Sequence, residues 1–290
     1  MMKQILSLVV LWISWSNIYS QFLIDTVLNR YSAIDSIIQQ QLTQVSNSDL
    51  LIVLDIDNTI LKSDHDLGSD FWYQWQSGEL KYKPDIGTQK LADKCKYNEA
   101  IGLLFELGTM SLSDDSAAVL INKWQNSGLR VFALTSRSPS YRTATERELK
   151  RNGIDLKLNE LKDLNDNRMN FDYTLQRELS YKNGILMSSG MDKGEMLSFI
   201  LGKSGSRFKN IVFVDDTRKN IDNVKRKYSA CLQTNITLVH FTRVVEQRYL
   251  SNNQEIFTED QIDRMDKDWK KLLQTLSDIF PKRAIKCECK

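Results

Sequence analysis

The stretch Leu50-Leu51-Ile52-Val53-Leu54-Asp55-Ile56-Asp57-Asn58-Thr59 sets five apolar residues directly before two carboxylates and a hydroxyl. Five residues are too few for a helix, and an unbroken apolar run leaves no face for water, so it reads as a strand buried on both sides. Similar runs recur at residues 129–134, 184–187, 211–214 and 236–239. Helix-period patterns lie between most of them. Ser113, Asp114 and Asp115 precede the stripe Ala117, Leu120, Ile121 and Trp124, which Gly128 closes, giving a start and a stop for one helix. Residues 141–152 end the same way at Gly153. Asp192 is placed to cap a helix carrying Met196, Leu197, Ile200 and Leu201, and residues 220–228 and 260–280 complete the set. Upstream, Ile24, Val27, Leu28, Tyr31, Ile34, Ile38 and Leu42 step by three and four, which predicts a single amphipathic helix. Short apolar strands alternating with helices imply β-α-β units: an α/β fold with a parallel, Rossmann-like sheet core and helices on both faces.

In such a sheet the chemistry collects at the carboxyl ends of the strands. The residues found there are Asp55 and Asp57 after the first run, Thr135, Ser136 and Arg137 after the second, and Asp215 and Asp216 after the run at 211–214. Lys193 stands at the start of the intervening helix. Carboxylates, a hydroxyl and one lysine form an inventory for phosphate and magnesium. Mg2+ takes hard oxygen ligands, commonly one or two carboxylates with phosphate oxygens and water. It also offsets the repulsion between a carboxylate and a phosphate dianion, several kcal/mol at about 4 Å with an effective dielectric near 20. Asp55 and Asp215 would supply ligands, while Thr135 and Lys193 would hold phosphate oxygens. The reading requires Lys193 and Asp215 to lie within about 10 Å of the Asp55 carboxylate, the span of one phosphate and its metal.

These residues resemble the four motifs of the haloacid dehalogenase (HAD) superfamily, in order: Asp55-Ile56-Asp57-Asn58-Thr59 after its apolar run, Thr135 after Val131-Phe132-Ala133-Leu134, Lys193 in Asp192-Lys193-Gly194-Glu195, and Asp215-Asp216 after Ile211-Val212-Phe213-Val214. The chain is most similar to exported bacterial HAD-like proteins that share the Leu-Thr-Ser-Arg and Asp-Lys-Gly wording, over about residues 48–242. The resemblance implies a phosphoric monoester hydrolase in which Asp55 attacks phosphorus to form an aspartyl-phosphate. Asp57 would protonate the leaving alcohol and then activate water, its carbonyl also binding the metal. Thr135, Ser136 and Lys193 would bind phosphate. Asp55, Asp57, Asp215 and Asp216 would form the metal site, with the division between Asp215 and Asp216 open. The dehalogenase branch lacks a carboxylate at the position of Asp57, and the ion-pumping branch has Thr there. A phosphotransferase, or a secreted binding protein that keeps the fold without turnover, are the alternatives.

The remaining readings bound the molecule. With 290 residues, 41% apolar and 26% charged, and only 12 Gly and 3 Pro, the chain is globular rather than disordered or collagen-like. Thirty-nine basic against 37 acidic residues give no reason to expect nucleic acid as a partner. Lys3, the apolar run from Ile5 to Ile13 and the small residue Ser20 fit a signal peptide over residues 1–20, so the protein is expected to be exported, periplasmic or secreted. That run is shorter than the roughly 20 residues that cross a bilayer, leaving no stable membrane anchor after its removal. Residues 21–61 and 113–290 form the expected core domain, and residues 62–112 a small, mainly helical cap between the first two motifs. The cap aromatics Phe71, Trp72, Tyr73 and Trp75 read either as a stacking surface for substrate or, more simply, as the cap's own core. Lys81 and Lys83 read as a solvated face. A helix is expected from about Thr88 to Leu107. The segment from Ile154 to Tyr181 reads as a loop or small lid. His65 reads as a surface residue near the site entrance and His240 as structural. Cys95, Cys231, Cys287 and Cys289 allow three disulfide pairings, none of them assigned.

Overall fold

The computed structural model describes residues 22–77, 94–229 and 234–282. The signal-peptide segment, Lys81, Lys83, the first turns of the helix expected from Thr88, and Cys231, Cys287 and Cys289 lie outside the described residues, as does the Cys95 side chain.

In chain order the elements are β1 (Leu23–Leu28), α1 (Tyr31–Leu42), β2 (Leu50–Leu54), β3 (Leu61–Ser63), α2 (Asp70–Ser77), α3 (Lys94–Leu107) and β4 (Met110–Leu112). Next come α4 (Ala117–Asn126), β5 (Arg130–Thr135), α5 (Arg142–Arg151), β6 (Phe171–Thr174), β7 (Glu178–Lys182) and β8 (Ile185–Met187). The chain then continues through α6 (Lys193–Ser204), β9 (Asn210–Asp215), α7 (Arg218–Tyr228), β10 (Asn235–Phe241), α8 (Arg243–Ser251) and α9 (Glu259–Ile279). The fold is α/β, its eight-stranded sheet ordered β1-β10-β9-β2-β5-β8-β7-β6, and it is compatible with a Rossmann-like core. The six strands from β1 to β8 in that order are parallel; β7 and β6 add an antiparallel edge.

The continuous apolar runs are explained by two cores, one on each face. Alternate side chains of a strand point to opposite faces. Leu50, Ile52 and Leu54 of β2, Val131 and Ala133 of β5, and Val212 and Val214 of β9 pack with Tyr31, Ile34 and Ile38 of α1 and Ile121 and Trp124 of α4. The intervening Leu51, Val53, Phe132, Leu134, Ile211 and Phe213 pack on the other side with Met196, Leu197 and Ile200 of α6 and Ile221 and Val224 of α7. Every residue of β2 is buried, as the reading of that strand requires.

Three local expectations are corrected, and one helix goes unread in the sequence. The periodic segment 24–42 is not one helix, because its first part is β1, paired in parallel with β10. As an edge strand, β1 leaves Ile24 and Val27 43% and 57% exposed, so its apolar spacing marks no buried helical face. Residues 154–181 are not simply a loop: Phe171–Thr174 and Glu178–Lys182 form a hairpin that extends the sheet, with Leu179 and Tyr181 in its core. Ser113 does not cap α4, which starts at Ala117; the carboxylate of Asp114 instead takes the Ser116 N–H at 2.9 Å. Helix α8 carries no strong apolar stripe and is absent from the sequence reading. Among the described residues, no helix is long and apolar enough to cross a membrane.

The insertion at 62–112 holds the short antiparallel pair β3–β4 and the helices α2 and α3. It does not close a core by itself. Phe71, Trp72 and Trp75 of α2 and Ile101 of α3 share a third apolar cluster with Val244 of α8, Ile256, Phe257, and Ile262, Met265 and Trp269 of α9. The Trp72 and Trp269 rings lie 5.6 Å apart and those of Trp75 and Phe257 6.1 Å. The three large cap aromatics are therefore packing residues, not a stacking surface. Helix α9 presents Ile262, Met265 and Trp269 at helical spacing and begins with a reciprocal cap between Thr258 and Gln261.

Candidate functional site

Two neighbouring strands of the sheet, β2 and β9, deliver the acidic residues to one edge, and β5 on the other side of β2 brings Thr135 there. The N–H of Asp55 still bonds to the Val214 carbonyl of β9 at 2.9 Å, which fixes its backbone beside that strand. The chain then turns: the Ile56 carbonyl accepts from the N–H groups of Thr59, Ile60 and Leu61, and Asn58 adopts a φ of +55°. Asparagine tolerates that left-handed conformation better than most residues. The turn separates the directions of Asp55 and Asp57, which would share a face on a continuing strand.

Lys193 is the first residue of α6 and is 0% exposed. Its Nζ lies 2.6 Å from Asp55 Oδ1 and 2.6 Å from Asp215 Oδ2, well inside the required distance. Asp192 caps the helix, its carboxylate accepting from the N–H groups of Gly194 and Glu195. Gly194 admits a close approach of α7, since a Cβ there would stand 2.5 Å from the Asn223 carbonyl oxygen. The Asp-Lys-Gly wording thus anchors the lysine at the site and lets the neighbouring helix close over it. Asp215 is fixed from its other side: Oδ1 accepts from the Thr217 N–H and the Asn220 amide, each at 2.9 Å.

One oxygen from each of Asp55, Asp215 and Asp216 can be chosen so that all three lie within 4.8 Å of one another. Three carboxylates against one ammonium leave negative charge in excess. Burial, together with Asp215 and Asp57, pushes the Asp55 carboxyl well above the usual carboxylate range despite the pull of Lys193. Burial, with Asp70, Asp215 and Asp55 beside it, pushes Asp216 up as well. Burial moves Lys193 the other way, but Asp215 and Asp55 outweigh it and raise the ammonium pKa above its ordinary value. A hard-oxygen donor set with surplus negative charge fits a divalent cation such as Mg2+.

Asp57 stands apart from that trio. Arg137 grips it with a two-pronged contact, Nε to Oδ2 and Nη2 to Oδ1, each 2.8 Å. The guanidinium is buried, donates through Nη1 to Thr145 at 2.8 Å and lies 4.7 Å from the Phe105 ring centroid. Thr135 is fully buried at the end of β5, its hydroxyl accepting the Arg137 N–H at 3.2 Å. Ser136 is exposed at the same strand end. Neither hydroxyl bonds directly to Asp55 or Lys193.

Two residues of the site carry no role in the sequence reading, although Arg137 is named there at its strand end. Arg137 had a signal, since it lies two positions beyond Thr135 in a strand-end loop. Asp70 had none: it opens α2 in the cap, where its carboxylate accepts from the Asn58 amide at 3.1 Å and from Gln74 at 2.5 Å. Burial and the neighbouring charge of Asp57 push its carboxyl up to about 7. His65 is exposed beside Thr109 at the rim, and His240 bonds the Asp216 carbonyl at 2.9 Å, a structural contact.

A family model described as "Protein of unknown function (DUF2608)" matches residues 28–282. The chain belongs to the DUF2608 family. No curated protein matches it. The match takes in the acidic trio, Lys193 and Arg137, and also the cap with the helices α8 and α9 that complete the third core, so this DUF2608 member carries site and cap within one family unit.

Proposed function

We propose that this DUF2608 protein is an exported HAD-type phosphatase that hydrolyses a phosphate monoester with Mg2+ through an aspartyl-phosphate on Asp55. The observation that carries the reading is the buried meeting of Asp55, Asp215 and Asp216 around the single ammonium of Lys193. Asp55, Asp215 and Asp216 would hold the ion, together with the Asp57 carbonyl. When bound, Mg2+ supplies positive charge that screens the phosphate from the carboxylates.

Asp55 is the only one of the trio that ends the central strand β2, and its second oxygen is not engaged by Lys193. It is the nucleophile: the bond from its oxygen to phosphorus forms as the bond to the leaving alcohol breaks. Lys193 offsets charge on the transferring group. Thr135 and Ser136, at the end of the adjacent strand, line the phosphate side. Asp57, oriented by Arg137, gives a proton to the departing alkoxide and later takes one from the water that cleaves the acyl-phosphate. Each of its oxygens keeps a lone pair for that transfer beyond its contact with Arg137.

The test is phosphate release from an aryl phosphate, with Mg2+ and with EDTA, by wild type and Asp55→Asn. Release that needs the metal and vanishes in Asp55→Asn is expected. Equal release by the variant removes the nucleophile, and no release across a broad phosphoester panel favours a binding protein. Beryllofluoride, a mimic of the phosphoryl group on aspartate, should raise the melting temperature only with Mg2+. Export predicts a mature N-terminus at or near Gln21.

A further inference from the structure

We propose that Asp70 selects phosphate monoesters whose alcohol half carries a cationic amino group, an inference that rests on the phosphatase reading of the same site. A cavity of about 30 Å3 lies on the leaving-group side. It is lined by Asp57, Asp70, Thr109, Arg137 and Glu148, and by none of Asp55, Asp215 and Asp216. Its volume holds about one water-sized group, so a short alcohol must run through it. Through His65, Leu67, Leu104 and Gly108, which line both spaces, it continues into a groove of about 380 Å3 against α9.

Near the reacting end, the charges lining this path are paired with one exception. Arg137 gives Nε and Nη2 to Asp57 and Nη1 to Thr145, so no fork is left for an incoming anion. Glu148 is paired with Arg147 and Arg151. The Asp70 carboxylate has only the amides of Asn58 and Gln74 and, among the described residues, no ion-pair partner. Farther out, Asp64, Asp66 and Asp268 line the groove against Arg264 and His65, and Arg248 neutralises Asp66. Beside the leaving group this carboxylate is held by amides and, among the described residues, has no cation to pair with. A substrate ammonium would supply one, whereas a second anion would meet uncompensated negative charge.

The test compares three esters of similar size: 2-aminoethyl phosphate, 2-hydroxyethyl phosphate and phosphoglycolate, which are cationic, neutral and anionic at the far end. For wild type, kcat/KM should fall in that order, with at least about a tenfold step between the first two. Asp70→Asn and Asp70→Ser should remove most of that step. The proposal is overturned if wild type shows no step, if both variants lower all three esters by one common factor, or if they change only the Mg2+ requirement, which would make Asp70 a support of the metal site. If wild type hydrolyses none of the esters, the phosphatase reading fails. Calorimetric titration of the same esters with Mg2+ into Asp55→Asn, with and without Asp70→Asn, then decides selectivity alone. A preference for the aminoethyl ester that disappears with Asp70→Asn sustains the inference, and equal affinities overturn it.

Discussion

Replacing Lys193 by methionine tests the central arrangement without relying on turnover. The side chain is fully buried, and its ammonium makes two 2.6 Å contacts, to Asp215, itself 0% exposed, and to Asp55. Methionine keeps much of the volume but removes the only cation that, among the described residues, contacts the trio. Breaking a buried ion pair by removing one partner costs about 3–5 kcal/mol, because the remaining charge stays buried without compensation. With an m-value of about 2–3 kcal/mol/M in urea, that is a fall in midpoint of about 1–2.5 M at pH 7.5 in EDTA. Saturating Mg2+ should recover a large part of the loss, since the ion supplies charge to the same oxygens. Lowering the pH to 5 should recover part too, as the carboxyls take up protons. Urea unfolding followed by tryptophan fluorescence reads all three conditions. A loss below about 1 kcal/mol in EDTA, or no recovery with Mg2+, would refute the view that these carboxylates form a cation site.

Three further outcomes follow from other contacts. Arg137→Met should leave Asp57 without its two-pronged partner, lowering kcat far more than it changes KM and costing about 3 kcal/mol in urea unfolding; kinetics indistinguishable from wild type would show that Arg137 does not orient Asp57. Trp72→Ala should cost about 3–5 kcal/mol and also strip hydrogen-exchange protection from α9, since Trp72 packs on Trp269; protection lost in α2 alone would contradict a shared core. The raised Asp70 carboxyl predicts a pH effect in EDTA. Its folded value of about 7 exceeds the ordinary aspartate value of 3.8, so the folded state binds the proton more tightly. That contribution to stability is complete below about pH 4 and is lost as the pH rises through 7. Asp70→Asn should therefore show a shallower fall in stability between pH 4 and 8 than wild type, measured by urea midpoints; parallel profiles would exclude the effect.

The sheet and the acidic trio were legible because the central strands are buried on both faces, which forces continuous apolar runs that end abruptly in polar residues. Asp55, Lys193, Asp215 and Asp216 could be placed together from topology alone, since parallel strands bring their carboxyl ends to one edge. What was not legible depends on partners remote in sequence. Strand β1 is a strand because β10, more than two hundred residues later, pairs with it, while its own spacing of Ile24, Val27 and Leu28 suits a helix equally well. The hairpin of β6 and β7 carried an alternating signal in Leu179 and Tyr181, but it was too short to outweigh the polar residues around it. Asp70 looks like any acidic residue in a helical first turn, and only the packing of α2 beside the sheet edge sets it near Asp57. The aromatics of α2 announced a core without saying what would cover it.

That cover has a consequence for biosynthesis. Phe71, Trp72 and Trp75 leave the ribosome well before Trp269, which completes their packing. For the interval in which some two hundred residues are made, these rings lack the α9 side chains that complete their cover, and a nascent chain in that state is exposed to misassociation. Chains that terminate early near residue 250 would be expected to bind holdase chaperones through α2, although the sheet and its acidic edge would already be in place.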